Sequence, residues 1–139
     1  MKRYSHLLSA LLLTLWMLTA CATLQPPAER FSSTHRDFLQ LLRWQDFEGA
    51  AQYLEKPYRK EFLRQFRPLD DLRIVDVQAE SVAPGKTENR MVSRTVMQYY
   101  LLPSIAVKKF RFRLEWRYLG GDARHLGTWR IVSPFPPFP

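Results

Sequence analysis

The chain has 139 residues, ten prolines, a single cysteine and a formal net charge of +8. This length accommodates one domain, and a composition of 46% hydrophobic and 24% charged residues is that of a globular chain, not a disordered or collagen-like one. A single cysteine excludes an intrachain disulfide framework and a zinc site built from several cysteines.

The N-terminal segment has the pattern of a secretory signal peptide. Lys2 and Arg3 precede an apolar stretch, residues 7–18, which is shorter than the about 20 residues that a membrane-spanning helix needs. The cysteine follows at once, and residues 18–21 (Leu-Thr-Ala-Cys) resemble the lipobox of bacterial lipoproteins. The resemblance implies cleavage before Cys21 and a diacylglycerol on its sulfur. An uncleaved anchor and ordinary cleavage are the alternatives.

The same resemblance implies a mature protein that starts at acylated Cys21, with residues 1–20 as its signal peptide. Removing those residues, and with them two basic side chains, leaves 119 residues and a net charge of +6. Each buried methylene of an acyl chain contributes about 0.8 kcal/mol, so a multiply acylated N-terminus anchors the protein durably to membrane lipid. In enterobacterial lipoproteins an Asp after the cysteine favours the inner membrane, whereas Ala22 favours the outer membrane of the cell envelope. Residues 21–28 are predicted to form an acylated, periplasm-facing tether.

Three short amphipathic helices are predicted next. Apolar residues recur at helical spacing over residues 29–44, and they do so again after Asp46, which is of a type that caps helix N-termini. Pro57 suits the first position of a third helix, and Pro68 ends it.

The pattern then changes to the alternation of β-strands. Val75, Val77 and Ala79 alternate with polar residues, and residues 91–102 form a longer apolar run. The third strand places aromatic and aliphatic residues on one face and charged residues on the other, and residues 128–133 form a fourth. Short connections between four consecutive strands predict a curved antiparallel sheet. The fold class is therefore α+β, with N-terminal helices packed on one sheet face over residues 29–133.

This order of elements resembles the nuclear-transport-factor-2-like, or cystatin-like, cone fold. Residues 44–51 (Trp-Gln-Asp-Phe-Glu-Gly-Ala-Ala) are similar to a step between helices common in that fold, and residues 127–131 (Gly-Thr-Trp-Arg-Ile) to its closing strand. The resemblance implies a cone-like domain, and a different helix-on-sheet fold is the alternative. Because the superfamily includes isomerases and dehydratases with an Asp or His acid–base pair in the cone, it also raises an enzymatic alternative.

Few residues could support such chemistry. His35 shares the apolar face of the first helix, and His125 lies in a loop between glycines. Asp76 and Glu80 have the same parity on the first strand, opposite its valines, which favours solvent or a basic neighbour. The sequence contains no nucleophile elbow, phosphate loop or metal-ligand cluster. No catalytic residue, cofactor or metal is therefore predicted.

Charge is divided into a basic, an acidic and a second basic segment. Residues 56–67 and 108–130 are basic, whereas residues 70–88 carry five acids against two bases. The simpler interpretation is that acids of the first strand pair with bases of the third. The alternative is an anion-binding face made of Lys109, Arg111, Arg113 and Arg117, for an anionic envelope component or an acidic protein. Export from the cytoplasm argues against nucleic acid as a partner.

The C-terminal tail, residues 134–139, holds four of the ten prolines. An extended polyproline path has three residues per turn and would place Phe135 and Phe138 on one side. The two rings could pack back on the domain or dock into a partner.

Two functions follow from this sequence. The first is a lipid-anchored envelope protein that acts as a non-enzymatic binding or structural module. The second is a small-molecule isomerase or dehydratase with a cone-shaped pocket. A buried His or carboxylate facing an apolar cavity favours the enzyme, whereas an interior filled by aromatic side chains favours the module. The first function is preferred because no catalytic pair can be named.

Overall fold

The structure is a computed structural model and describes residues 27–121 and 127–139. The predictions for the signal peptide, Cys21 and His125 lie outside the described residues. Three helices are followed by four strands, and their bounds are α1 Pro27–Arg43, α2 Phe47–Ala51, α3 Lys56–Phe66, β1 Leu72–Pro84, β2 Arg90–Leu101, β3 Lys108–Leu119 and β4 Thr128–Ile131.

The four strands form one antiparallel sheet in the order β1-β2-β3-β4, and this sheet does not close on itself. The predicted α+β class with three helices and four antiparallel strands is confirmed. The free edge of β4 is covered by the link between α2 and α3, where the Ile131 amide donates to the Tyr53 carbonyl at 2.8 Å. At the other edge, Gln45 caps the start of β1. Its side-chain nitrogen donates to the Leu72 carbonyl at 3.2 Å, and its side-chain oxygen accepts from the Ile74 backbone amide at 3.3 Å.

The helices form where apolar spacing and capping residues predict them. Phe31, Phe38 and Leu42 of α1 are all buried against the sheet. The Asp46 side chain accepts a hydrogen bond from the Gly49 amide at 2.9 Å, so the predicted N-cap of α2 is confirmed. Helix α1 begins at Pro27, two residues before the predicted start and inside the segment predicted as tether. A proline is tolerated there because the first amides of a helix have no intrahelical acceptor.

The predicted apolar face of β1 is wrong in its first part. Val75 was expected to share a face with Val77, yet Val75 is 43% exposed while Val77 is buried. The register with β2 shifts between Ile74 and Asp76, which identifies a β-bulge. A bulge inserts one extra residue and so reverses the alternation, which brings Ile74 and Val77 to the same inner face.

Aromatic rings fill the space between helices and sheet. Trp116 of β3 is fully buried, and its ring is in edge-on contact with Phe31 and Phe38 of α1, with 5.5 Å between ring centroids in each pair. Further along the sheet, Phe112 of β3 and Phe62 of α3 are buried on either side of the tail residue Phe135. The third strand therefore directs its aromatic face into the core, as its alternation predicts.

Two hydroxyl groups of β2 lie inside this aromatic layer. The Trp116 indole N–H donates to the Ser93 hydroxyl at 3.0 Å. The Thr95 hydroxyl is buried and has no hydrogen-bond partner among the described residues. Burial of a hydroxyl is unfavourable when it is not hydrogen-bonded, so these two neighbours contribute to stability with opposite sign.

A pair of substitutions tests this difference. Ser93→Ala leaves the Trp116 donor unpaired and is expected to lower the free energy of unfolding by about 1–3 kcal/mol. Thr95→Val keeps the shape, removes the unpaired hydroxyl and is expected to raise the free energy of unfolding by about 1 kcal/mol. Urea unfolding followed by tryptophan fluorescence measures both. Equal destabilisation by the two changes would contradict the assignment.

Candidate functional site

The predicted basic face lies on the side of the sheet that faces away from the helices, hereafter the outer face. Lys109, Arg111 and Arg113 are exposed there, and Arg117 is half-buried. Arg94 of β2 is also exposed and stands directly opposite Arg113 in the ladder. The structure therefore brings the four predicted residues together along one strand and adds a fifth cation from its neighbour.

Three of these five cations form salt bridges with acidic groups of the same domain. The Arg111 guanidinium reaches across β2 to the Glu80 carboxylate of β1 at 2.8 Å, although β1 and β3 are not adjacent. Arg113 pairs with Glu115 at 3.1 Å. Pairing of first-strand acids with third-strand bases was the simpler of the two predictions, and the contact between Arg111 and Glu80 is such a pair.

Arg117 has a different role from its neighbours. Its guanidinium donates to the Glu55 carboxylate, and Glu55 is the N-cap residue of α3. The Glu55 amide in turn donates to the Ile131 carbonyl of β4 at 2.9 Å. Arg117 therefore fastens the α2–α3 link to the sheet, which is a structural task. Among the described residues, Lys109 and Arg94 have no salt-bridge partner, so these two cations are the ones available to an external anion.

Asp76 and Glu80 do not form a catalytic pair. The Asp76 carboxylate accepts from the Val77 amide at 2.9 Å and from the Gln78 side chain at 2.6 Å, and it lies 3.7 Å from Arg43. Glu80 is held by Arg111 on the outer face. Each carboxylate therefore has its own basic neighbour.

The tail packs against the domain with both of its aromatic rings. Phe135 is only 4% exposed, and its ring centroid lies 4.9 Å from that of Phe112 and 5.0 Å from that of Phe62. Phe138 is half-buried and lies 4.8 Å from Tyr99 and 5.4 Å from Phe66, measured between centroids. The tail thus closes the end of the interface between α3 and the sheet.

A side-chain amide of α3 fixes the tail backbone. The Phe138 amide donates to the Gln65 side-chain oxygen at 2.8 Å, and the Gln65 nitrogen donates to the Phe135 carbonyl at 3.5 Å. Sequence reasoning missed Gln65 because a glutamine on a polar helix face carries no signal of such a role. The only signal in the sequence for a packed tail was the spacing of Phe135 and Phe138, three positions apart.

The tail contacts predict a graded loss of stability. Phe135→Ala is expected to lower the free energy of unfolding by about 3 kcal/mol because the ring is buried among aromatic neighbours. Phe138→Ala is expected to cost about half as much, since its ring is half-buried. Thermal unfolding measures both, with Pro137→Ala at an exposed position as the control. An unchanged melting temperature for Phe135→Ala would instead favour docking of the tail into a partner.

His35 is the buried titratable group of the helical face. Its side chain is 6% exposed, stacks on Phe31 at 5.4 Å and meets the edge of Trp116 at 5.6 Å between centroids. Its Nε2 atom has no hydrogen-bond partner among the described residues. Burial lowers the pKa of His35 below its ordinary value because the charged form loses hydration.

An open groove runs between α1 and β1 beside this histidine. One part, about 300 Å³, is lined by Phe31, His35, Leu39, Ala79 and Val82 among others. It adjoins a wider part of about 550 Å³ that includes Arg36, Arg43 and the exposed Trp44. The part beside His35 is largely apolar, the wider part is mixed, and no acidic side chain lines either part. A histidine without a carboxylate beside it can bind a polar atom, but it forms no carboxylate–imidazole pair.

The burial of His35 predicts a pH-dependent stability. Because its pKa is lower in the folded chain than in the unfolded chain, the unfolded chain binds a proton first as the pH falls. The free energy of unfolding should therefore decrease from about pH 7 to about pH 5.5, above the range where carboxylates titrate. His35→Phe should flatten this part of the profile, measured as urea midpoints at each pH. An equally steep profile in the variant would assign the dependence to other groups.

No protein-family model matches the chain, and no curated protein is similar to it. Among residues 27–121 and 127–139, no three His, Cys, Asp or Glu side chains are grouped so that they could hold a metal ion. In the same residues, no helix has the length and apolar character needed to cross a membrane.

Proposed function

We propose that the protein is a lipid-anchored module of the bacterial cell envelope that binds or supports other components and catalyses no reaction. Cys21 is the attachment point, the outer membrane is the favoured location, and the domain faces the periplasm. The observation that carries the non-enzymatic part of this proposal is the filled interior. Trp116, Phe38 and Phe112 occupy the layer between helices and sheet in which an enzyme of the cone type would need its pocket.

The order of elements supports the resemblance to the nuclear-transport-factor-2-like fold. Three helices precede four antiparallel strands in sequence order, and the helices cover one face of the sheet. We infer a cone-like fold of that type whose interior is occupied by side chains. The anchor rests on a separate observation, the signal-like segment that ends in Leu-Thr-Ala-Cys at Cys21. Helix α1 begins six residues after Cys21, so the anchor would hold the domain close to the bilayer.

The proposed partners are anionic. Lys109 and Arg94 are exposed on the outer face without salt-bridge partners among the described residues, while Arg111 and Arg113 are paired with Glu80 and Glu115. An anionic partner would therefore bind the two unpaired cations first. To bind Arg111 and Arg113 it would have to displace the Glu80 and Glu115 carboxylates. Association of this kind weakens as salt rises, because exposed charges are screened over about 8 Å at physiological ionic strength.

A small-molecule enzyme is the second candidate, and His35 is the observation that favours it. The histidine is buried beside an apolar groove, which is one half of an acid–base site. Among the described residues, no carboxylate lines the groove to complete the pair. A steroid ketone that bound there would shift the imidazole NMR signals of His35. Unshifted signals at saturating ligand would remove this candidate.

The anchor is tested on the protein produced in a bacterial host. Mass spectrometry of the N-terminal peptide should find Cys21 as the first residue, carrying diacylglycerol and a further acyl chain. Cys21→Ser should abolish acylation and cleavage at this site, because the serine hydroxyl is not an acceptor for the diacylglycerol. Ala22→Ser is the matched control and should be acylated normally. A free Cys21 thiol in the unsubstituted protein would refute the anchor.

A further inference from the structure

The connection between β2 and β3 is the most apolar exposed segment that the structure describes. Residues 102–107 (Leu-Pro-Ser-Ile-Ala-Val), hereafter the apolar loop, are exposed without exception. Ile105 is 79% exposed and Val107 53%, higher values than those of Val75 and Val82 in the sheet. Exposed aliphatic side chains that cluster on one loop mark a surface that is covered by something else.

The domain holds this loop in an outward position. The Leu102 amide donates to the Asp71 carbonyl at 3.0 Å, and the Ser104 hydroxyl accepts from the Ala106 amide at 3.3 Å. The first bond ties the loop to the start of β1, and the second bends it locally. Neither bond buries an apolar side chain, so Ile105 and Val107 stay in solvent.

Positive charge follows the apolar residues directly. Lys108 and Lys109 begin β3, both are exposed, and neither has a salt-bridge partner among the described residues. Asp70 and Asp71 are exposed at the same end of the sheet, so the two lysines keep this end from repelling an anionic surface. An apolar tip flanked by lysines fits a bilayer with anionic headgroups, since aliphatic side chains enter the acyl boundary while ammonium groups stay among phosphates.

We propose that the apolar loop inserts into the anionic phospholipid bilayer that carries the anchor, with Lys108 and Lys109 contacting its headgroups. This inference rests on the proposed function for the choice of bilayer. The proposal also determines the orientation of the domain on the bilayer. Helix α1 begins near the far end of β3, where Arg30 donates to the Tyr118 hydroxyl at 3.3 Å.

The lengths of the segments determine that orientation. Strand β3 has 12 residues and is about 40 Å long, so the loop and the start of α1 are separated by about that distance. The six residues from Cys21 to α1 span at most about 20 Å. Both ends can therefore reach one bilayer only when the strands run roughly along the membrane plane. The anchor and the loop would then act as two contacts at opposite ends of the domain.

The single cysteine of the chain makes a direct test possible. In acylated protein, Ile105→Cys supplies the one free thiol, which is labelled with the environment-sensitive fluorophore NBD. On vesicles of phosphatidylethanolamine and phosphatidylglycerol, its emission should shift to shorter wavelength and rise several-fold. Val82→Cys, an exposed aliphatic position beside α1 and outside the apolar loop, is the comparison and should shift much less, because the anchor holds that end near the bilayer without inserting it.

The outcomes separate the loop from the anchor. Two labels per chain would show that Cys21 is not acylated, which refutes the anchor whatever the spectrum. One label with an unshifted spectrum, an equal shift at positions 105 and 82, or a shift that depends on protein concentration and not on lipid would each overturn the loop proposal.

The role of the lysines is tested separately. Lys108→Gln with Lys109→Gln should reduce the shift at position 105 on phosphatidylglycerol vesicles. Lys56→Gln with Lys60→Gln on α3 is the control and should leave it unchanged. An equal shift on phosphatidylcholine vesicles would overturn the assignment of an anionic surface.

Discussion

The contact of Trp116 with helix α1 is the interaction on which the rest of the structure depends. One indole ring lies between the helical layer and the sheet, receives Phe31 and Phe38 edge-on, and directs its N–H back into the sheet at Ser93. Because a buried indole contributes a large apolar area and still requires one hydrogen bond, its orientation is fixed by both demands. The adjacent aromatic residues of α3, β3 and the tail extend the same layer, so little room is left for a ligand between helices and sheet.

Because aromatic rings fill the layer between helices and sheet, the buried histidine and the charged residues lie at separate places. A catalytic cone needs a cavity to which an acid and a base both have access. Here the buried histidine borders a groove at the edge of β1, while Asp76 and Glu80 of β1 are paired with Arg43 and Arg111. The geometry thus keeps titratable groups apart. This separation supports the proposed binding module over the proposed enzyme.

Local patterns in the sequence were sufficient to predict the helices and strands, but not several of the contacts that position them. The alternation of β3 places Phe112, Trp116 and their neighbours correctly because the middle of one face of that strand is buried. The alternation of β1 misleads at Val75, since a bulge depends on pairing with β2 and leaves no mark in composition. Gln45 could not be predicted as an edge cap either. It adopts a positive φ of 59° and replaces a neighbouring strand with its side chain, an arrangement set by tertiary structure.

Charge and apolar exposure lead to different conclusions about the surface. The basic balance of the sequence suggested an anion-binding face, yet all three arginines of β3 form salt bridges within the domain, one of them to hold the α2–α3 link. Besides Arg94, the exposed side chains without internal partners at this sheet include the aliphatic tip of the β2–β3 connection and the lysines after it. The three arginines of β3 are paired within the domain, whereas Ile105 is 79% exposed, so the unfavourable exposure of an apolar side chain lies at the loop end. Because helix α1, which follows the proposed anchor in sequence, begins near the other end of β3, one bilayer would meet both requirements only if the sheet lay along it.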